Sequence, residues 1–298
     1  MPAQPFYPFP SAQEDAQASS LYTPPSPQTA SASYRLSYTD TDFLMRDELR
    51  PVRLQLELMK PEILQQEHDI KATVVVFGGG RVPDEETARE RLTEAENMAA
   101  DDPANVLFQQ RVATARRIVA KSHYYEEARK LGRILSEICH ARTGCKLVVI
   151  TGGGPGIMEA ANRGAFETGA KTMGFNIVLP HEQAPNPYIT PELSFQFHYF
   201  SIRKMHFLMR AQALVAFPGG FGTLDELFET LTLIQTRKIK PLPVLLFGRQ
   251  FWEKLINFDF LAEEGVIARE DLDIFRFVDT AEEAGRIIFD YFNADDRY

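Results

Sequence analysis

The sequence predicts an α/β protein with a Rossmann-like, doubly wound and mostly parallel sheet that carries helices on both faces. Three observations predict this fold. Short apolar segments alternate with helical patterns from residue 72 to residue 292. Several of these segments end in glycine turns, where open α/β sheets bind their ligands. No linker composition interrupts the range, which therefore forms one domain.

The predicted strands are short apolar segments, several of them rich in β-branched residues. Ala72–Phe77 is rich in β-branched residues and apolar apart from Thr73, which is typical of a central parallel strand covered on both faces. Residues 84–142 are charged and helical, and a break at Asp101–Pro103 predicts at least two helices there. A closing helix is predicted over 281–292. The seven predicted strands are 72–77, 147–150, 173–178, 195–200, 214–217, 243–247 and 273–278.

The N-terminal part of the chain differs from the rest in composition. Residues 1–34 are rich in Pro, Ser, Ala and Gln, which predicts a disordered or draped arm. Residues 35–70 predict a helical extension whose mixed pattern is broken by Pro51 and Pro61. Residues 71–298 form the main domain.

Composition excludes several classes of function. A net charge of −9 over 298 residues argues against nucleic acid as a partner. The sequence has no apolar run long enough for a membrane helix, so no membrane partner is predicted. Cys139 and Cys145 fit no metal spacing or disulfide framework, and no Lys or Arg precedes Arg35, so we expect a cytoplasmic protein without a signal or transit peptide.

Three glycine turns follow predicted strands, at Gly78–Gly80, Gly152–Gly156 and Pro218–Gly222. The last is followed by a helical pattern that we place from Thr223, with its hydroxyl at the cap. Free N–H groups and the positive dipole end of that helix predict an anion site. Asp225 and Glu226 are expected in its first turn, where their carboxylates reach the bound group.

Charged residues near these turns extend the prediction. Arg203 and Lys204 are expected in the first turn of a helix, where cations oppose the dipole, so we expect them to hold an anion. Glu159 is expected one turn into the helix after Gly156. An exposed helix charge and a ligand contact are equally compatible with its position.

The strings Pro218-Gly-Gly-Phe-Gly-Thr-Leu-Asp-Glu226, Gly152-Gly-Gly-Pro-Gly156 and Arg203-Lys204 occur together in one chain. With them, residues 72–292 resemble the LOG family of nucleotide 5′-monophosphate phosphoribohydrolases, often labelled lysine decarboxylases. The resemblance implies a Rossmann-like fold, a homodimer or larger assembly, and neither a metal nor an organic cofactor. It also implies hydrolysis of a nucleoside 5′-monophosphate to free base and ribose 5-phosphate.

The resemblance assigns roles to individual residues. Arg203 and Glu226 match the catalytic arginine and glutamate, and Lys204 matches the lysine beside that arginine. The remaining matches are substrate contacts: Gly219, Gly220, Gly222 and Thr223 in the phosphate-binding turn, Gly153, Gly154 and Gly156 in the earlier loop, and Glu159, a glutamate of the longer members. Gly79, in the first glycine turn, is a further candidate phosphate or ribose contact.

The sequence departs from the plant-type members of this family at three places. Phe200 and Phe207 stand where those members have methionines flanking Arg-Lys, and the first turn, Gly78–Gly80, lacks their serine. These departures argue against a cytokinin-type base. They fit the longer bacterial members, for which AMP or a related nucleotide is expected.

Three other functions were compared with hydrolysis. A non-catalytic nucleotide or cofactor carrier, resembling the molybdenum-cofactor carriers, fits the glycine turns equally well, but Arg203 together with Glu226 favours an enzyme. A lysine decarboxylase needs a lysine for pyridoxal phosphate, and neither Lys171 nor Lys204 has a suitable sequence context. An NAD-dependent oxidoreductase is disfavoured because neither of the first two glycine turns has dinucleotide spacing.

Overall fold

The computed structural model describes residues 9–140, 147–180 and 184–294, apart from the side chains of Tyr22, Cys139, His140 and Ala294. The prediction about Cys139 and Cys145 therefore lies outside the described residues. Within the chain, contacts between Cα atoms define two compact units, Met1–Met59 and Lys60–Tyr298. None of the described helices combines the length and the apolarity that a membrane span requires.

The first unit contains a helix that composition did not predict, α1 (Ala12–Tyr22). Its start is stabilised by a reciprocal cap: the backbone N–H of Glu14 donates to Oγ of Ser11, and the Ser11 N–H donates to the Glu14 carboxylate. α2 (Thr41–Leu44) is a single turn capped by Asp40. α3 runs over Arg50–Glu67 without the predicted breaks. Pro51 is tolerated because the first helical turn needs no N–H donor.

The main sheet and its helices lie in the second unit. Two 3₁₀ turns, at Pro191–Leu193 and Arg269–Ile274, precede β4 and β7. In chain order the elements are β1 (Ala72–Phe77), α4 (Glu85–Asp101), α5 (Val106–Val119), α6 (His123–His140), β2 (Leu147–Thr151), α7 (Ile157–Phe166), β3 (Thr172–Ile177), β4 (Ser194–Phe197), α8 (Phe200–Met209), β5 (Ala211–Ala216), α9 (Phe221–Gln235), β6 (Val244–Phe247), α10 (Arg249–Leu255), α11 (Phe258–Glu263), β7 (Phe275–Val278) and α12 (Ala281–Ala294).

The described strands form one seven-stranded sheet in the order β4-β3-β2-β1-β5-β6-β7. Every recorded pairing is parallel; Val75, for example, pairs with Ile150 of β2 and Leu214 of β5. The predicted doubly wound parallel sheet is confirmed. The strand order reverses between β1 and β5, so the crevice beyond their carboxyl ends is the topological switch point where such folds bind ligands.

The alternation of side chains along β1 divides the core between the two faces of the sheet. Val74 and Val76 pack with residues of α6, α7 and α12. Val75 and Phe77 pack with the opposite cluster, which includes Phe207 of α8 and residues of α9 and α10. Helices on both faces explain why every residue of β1 is buried and why all but Thr73 are apolar.

Three strands have a limit that differs from the prediction by two residues or more. β4 ends at Phe197, three residues early, because Phe200 is the first residue of α8. β5 begins at Ala211, three residues early, because Ala211 pairs with Thr73 of β1. β7 begins at Phe275, since Asp273 and Ile274 belong to the preceding 3₁₀ turn. The break at Asp101–Pro103 does separate helices, and three of them, α4, α5 and α6, lie between β1 and β2 in the described chain.

Candidate active site

The three glycine turns meet at the carboxyl edge of the sheet, and Gly79 joins the other two. Its N–H donates to the carbonyl of Pro218 at 3.0 Å, and its carbonyl accepts from the N–H of Ile157 at 3.3 Å. A Cβ atom on Gly156 would lie 2.6 Å from that same carbonyl oxygen. Glycine at these positions therefore lets three backbone segments approach one another at the switch point.

The turn after β2 adopts a backbone conformation that favours glycine. Gly153 and Gly156 have φ angles of +75° and +70°. A Cβ on Gly153 would also lie 2.1 Å from Oδ1 of Asn176. Gly154 is less constrained, because its Cβ would meet only the flexible end of Met158. The conformation of the loop therefore requires glycine at positions 153 and 156, but not at position 154.

A buried polar network that the sequence did not predict holds this turn. The N–H of Asn186 donates to the carbonyl of Gly153 at 2.9 Å, and its amide nitrogen donates to the carbonyl of Gly154 at 3.1 Å. The same amide nitrogen donates to Oδ1 of Asn162 at 3.0 Å. This oxygen also accepts a hydrogen bond from Oγ1 of Thr151 at 2.6 Å. Nothing in the composition of the Asn186 loop distinguishes this asparagine from its neighbours, because its partners come from other elements.

The turn after β5 leads directly into α9, which begins two residues earlier than predicted. Gly220 is the N-cap and makes no side-chain capping bond, and Phe221 is the first helical residue. The first-turn N–H groups therefore lack partners within the helix. Cβ atoms on Gly220 or Gly222 would meet no atom within 4 Å. An anion therefore has open access to the start of α9 at the two glycines.

The earlier start of α9 corrects two predicted positions. Thr223 lies in the first turn of the helix rather than at its cap. Its hydroxyl packs against Gly219 so closely that a Cβ atom on this glycine would collide with it. Asp225 and Glu226 fall in the second turn. The prediction failed because the glycines of this turn were assigned to the loop, although Gly222 adopts helical geometry within α9.

Arg203 of α8 and Glu226 of α9 form a buried ion pair. Nη1 of Arg203 lies 3.3 Å from Oε1 of Glu226, and the two side chains are only 12% and 8% exposed. Burial raises the pKa of Glu226 to about 7, against the opposing effect of the Arg203 and Lys204 charges. Burial also lowers the pKa of Arg203. Glu226 is thus a carboxyl group whose charge changes near neutral pH.

Three neighbours fix the position of the Arg203 guanidinium. Its Nε donates to the carbonyl of Phe175 at the end of β3, at 2.7 Å. Its central carbon lies 5.0 Å from the ring centroid of Phe207, which is fully buried. A Cβ on Gly152 would lie 2.8 Å from Nη2, so the arginine also borders the turn after β2.

The side chains of Lys204 and Glu159 bind to other protein side chains rather than to the glycine turns. Nζ of Lys204 lies 3.0 Å from Oδ1 of Asp225 and 3.2 Å from Oε2 of Glu229. Oε1 of Glu159 accepts a hydrogen bond from the hydroxyl of the buried Tyr125 at 2.9 Å. The structure therefore brings Arg203, Glu226 and the predicted glycines together, and it gives these other two side chains protein partners.

The described residues contain no group of three or more His, Cys, Asp and Glu side chains placed to hold a metal ion.

Of the two phenylalanines that depart from the plant-type pattern, Phe200 is half exposed and Phe207 supports Arg203. The arrangement can therefore offer backbone donors to an anion, a buried cation and a buried carboxyl group within one crevice.

Comparison with known proteins gave matches of three kinds. A family model described as "Possible lysine decarboxylase" matches residues 158–288, a range that contains both Arg203 and Glu226. The Oryza sativa subsp. japonica protein "Cytokinin riboside 5'-monophosphate phosphoribohydrolase LOG" is 30% identical over 166 residues, which are 55% of this chain and 65% of the relative. A second protein of that organism, "Probable cytokinin riboside 5'-monophosphate phosphoribohydrolase LOG4", is 29% identical over 139 residues, or 46% of this chain and 59% of the relative.

Both alignments span less than two thirds of the relative's own length. Among solved structures, the molybdenum cofactor binding protein of Rippkaea orientalis aligns at 18% identity and a TM-score of 0.44, over 74% of this chain and 98% of that chain. The fold and the site define an α/β protein of the doubly wound type with a glycine-lined crevice at its switch point. Over about half of its length the chain is similar in sequence to LOG phosphoribohydrolases.

Proposed function

We propose that this protein hydrolyses the N-glycosidic bond of a nucleoside 5′-monophosphate, AMP or a similar nucleotide, to free base and ribose 5-phosphate. The observation that carries the proposal is the buried Arg203–Glu226 pair beside the open start of α9. The names of the curated relatives, which are phosphoribohydrolases of a nucleoside monophosphate, support the same reaction class.

The phosphate would bind at the turn after β5. Gly219, Gly220, Gly222 and Thr223 present backbone N–H groups and the positive end of the α9 dipole to an anion. We assign Gly79, Gly153, Gly154 and Gly156 to the neighbouring wall of the same crevice. Phosphate binding is remote from the bond that breaks, so its binding energy can be used to place the sugar for reaction.

Glu226 would act on the sugar. Cleavage of a C–N glycosidic bond develops positive charge at the anomeric carbon, as in the oxocarbenium-like state of glycoside hydrolysis. A carboxylate with an 8% exposed side chain stabilises such a charge more strongly than one in water. With a pKa of about 7, Glu226 is also suited to accept a proton from water near neutral pH.

Arg203 would hold the phosphate or the departing base. Its guanidinium is already fixed by Phe175 and Phe207, so little side-chain entropy is lost when a ligand binds. We propose no cofactor for the reaction. The departures at Phe200 and Phe207 lead us to propose AMP or a related nucleotide as the substrate, and we expect a homo-oligomer.

The family model's description names a different reaction. A decarboxylase would need a lysine for pyridoxal phosphate, and both candidate lysines have protein partners. Nζ of Lys171 donates to the carbonyl of His68, and Lys204 pairs with two carboxylates. We therefore expect free lysine to stay intact with the purified protein.

The test is a panel of nucleoside 5′-monophosphates, including AMP and a cytokinin riboside monophosphate, with adenosine and lysine in parallel. Free base and ribose 5-phosphate are measured. Release from AMP with little release from adenosine is the expected result. Equal cleavage of adenosine and AMP would contradict the phosphate site, and tight nucleotide binding without any turnover would favour the non-catalytic carrier.

A further inference from the structure

Consecutive residues of α8 bind to neighbouring carboxylates of α9. Arg203 reaches Glu226, and Nζ of Lys204 lies between Oδ1 of Asp225 at 3.0 Å and Oε2 of Glu229 at 3.2 Å. Asp225 and Glu229 are four positions apart and so lie above one another on the same helix face. One ammonium group therefore bridges a full turn of α9.

We propose that Lys204 is a positioning residue, which attaches α9 to α8 and balances the two carboxylates beside Glu226, instead of contacting the substrate. Its side chain is only 17% exposed and is directed to those two carboxylates. Lysine is a compact charge with three donors. One of them hydrogen-bonds to Asp225, and the ammonium group also lies within ion-pair distance of Glu229.

The attachment matters because of where α9 begins. The helix starts at Phe221, directly after the glycine turn, so its position sets both the anion-binding N–H groups and Glu226. The distance of 3.3 Å between Arg203 and Glu226 is longer than a strong charge-assisted hydrogen bond, which is about 2.7–2.9 Å. The two contacts of Lys204 supply further attachment between the same helices.

The second consequence is electrostatic. The charged groups of the described residues that act on Glu226 are Arg203 and Lys204 from α8, and Asp225 and Glu229 from α9. Both cations favour the charged carboxylate, whereas the two other carboxylates oppose it. Without Lys204, the two acidic neighbours are uncompensated, and the pKa of Glu226 rises further.

The charge state of Glu226 can be measured directly. In protein labelled with ¹³C at the glutamate carboxyl carbon, the Glu226 signal is identified by its loss in Glu226→Gln and followed through a pH titration. For Lys204→Met we expect the midpoint to move upward by roughly half a unit to one unit. Lys204→Arg keeps the charge, and Lys254→Met removes an exposed charge from α10; both are expected to titrate like the unchanged protein.

A complementary variant keeps the test decisive if Lys204→Met does not fold. Asp225→Asn with Glu229→Gln removes the opposing charges, so the Glu226 midpoint is expected to move downward. Adding Lys204→Met to this pair is expected to bring the midpoint back toward that of the unchanged protein. An unchanged midpoint in folded Lys204→Met, or in the double variant, would overturn the proposal.

The kinetic counterpart rests on the proposed function, but the titration does not. In AMP hydrolysis, Lys204→Met is expected to shift the acid limb of kcat/KM together with the Glu226 midpoint. A direct phosphate contact would instead raise KM at every pH and leave the midpoint in place, which would contradict the positioning role. If no nucleotide is hydrolysed by any form, the proposed function fails while the titration still decides the role of Lys204.

Discussion

The guanidinium of Arg203 and the carboxylate of Glu226 lie 3.3 Å apart in the interior, although 23 positions separate them in the chain. Each comes from a helix that flanks β5, and the strand order places both at the switch point. A buried pair of this kind contributes little to stability on balance, because desolvation offsets much of its attraction. Stability alone therefore does not account for this pair beside the open start of α9, whereas the proposed reaction would use it.

Glu226→Gln is expected to lower the rate of AMP hydrolysis by about 10² or more, because the amide keeps the shape but cannot carry the negative charge. The measurement is kcat from ribose 5-phosphate release, together with a thermal unfolding curve that reports on the fold. Glu253→Gln, which alters an exposed ion pair with Arg249, is the matched control and is expected to keep full activity. Near-normal turnover by Glu226→Gln would remove this residue from the mechanism.

The pH dependence of kcat/KM follows from the raised pKa of Glu226. With a pKa of about 7, the group is protonated below neutral pH and charged above it. If the carboxylate is the active form, kcat/KM rises about tenfold per pH unit below 7 and levels off above it. The nucleotide phosphate also titrates near pH 6, so AMP binding is measured over the same range. A rate that falls above pH 7 would show that the protonated form is required.

Two glycine substitutions separate backbone strain from ligand access. Gly153→Ala is expected to destabilise the fold, because its φ is +75° and its Cβ would collide with Asn176. Gly222→Ala meets no atom within 4 Å and lies in a helix, so its stability is expected to be equal or higher by up to about 1 kcal/mol. Its methyl group nevertheless occupies the approach to the anion site. Weaker AMP binding with an equal or higher melting temperature is therefore expected for Gly222→Ala, and unchanged affinity would contradict the site.

Asn186→Ala tests the network that holds the turn after β2. The substitution removes the amide that binds Gly154 and Asn162, and the loss of these buried bonds is expected to cost about 1–3 kcal/mol in unfolding free energy. KM for AMP is expected to rise because the turn loses its support. Asn105→Ala, which removes the cap of α5, is the control: it should lower stability by about 1 kcal/mol without changing KM. Equal KM values for both variants would mean that the network serves the fold alone.

Much of the fold was predictable because its signals are local. All seven strands were located within about three residues, since a parallel strand buried on both faces is a short apolar segment in any context. The helix α1 was missed because its start depends on a reciprocal cap between Ser11 and Glu14 within a polar segment. Similarly, α9 was placed two residues late because glycine was taken to mark the loop.

The candidate site was predictable in its residues more than in their partners. Arg203, Glu226 and the three glycine turns were identified from their spacing and from the family resemblance. The positions of Asn162 and Asn186 were not, because their hydrogen bonds join α7, a loop and the turn after β2. Likewise, the sequence did not predict the bond of Glu159 to Tyr125 or the pairing of Lys204 with two carboxylates of α9.

The strands and the glycine turns of the candidate site could be predicted from the sequence alone, because they depend on periodicity and on the conformational range of glycine. The tertiary structure decided which charges face one another. Strand order placed α8 beside α9, and only that placement buried Glu226 against Arg203 and set its pKa near 7. The physical reason is that burial and pairing depend on distances between elements, which sequence spacing does not specify.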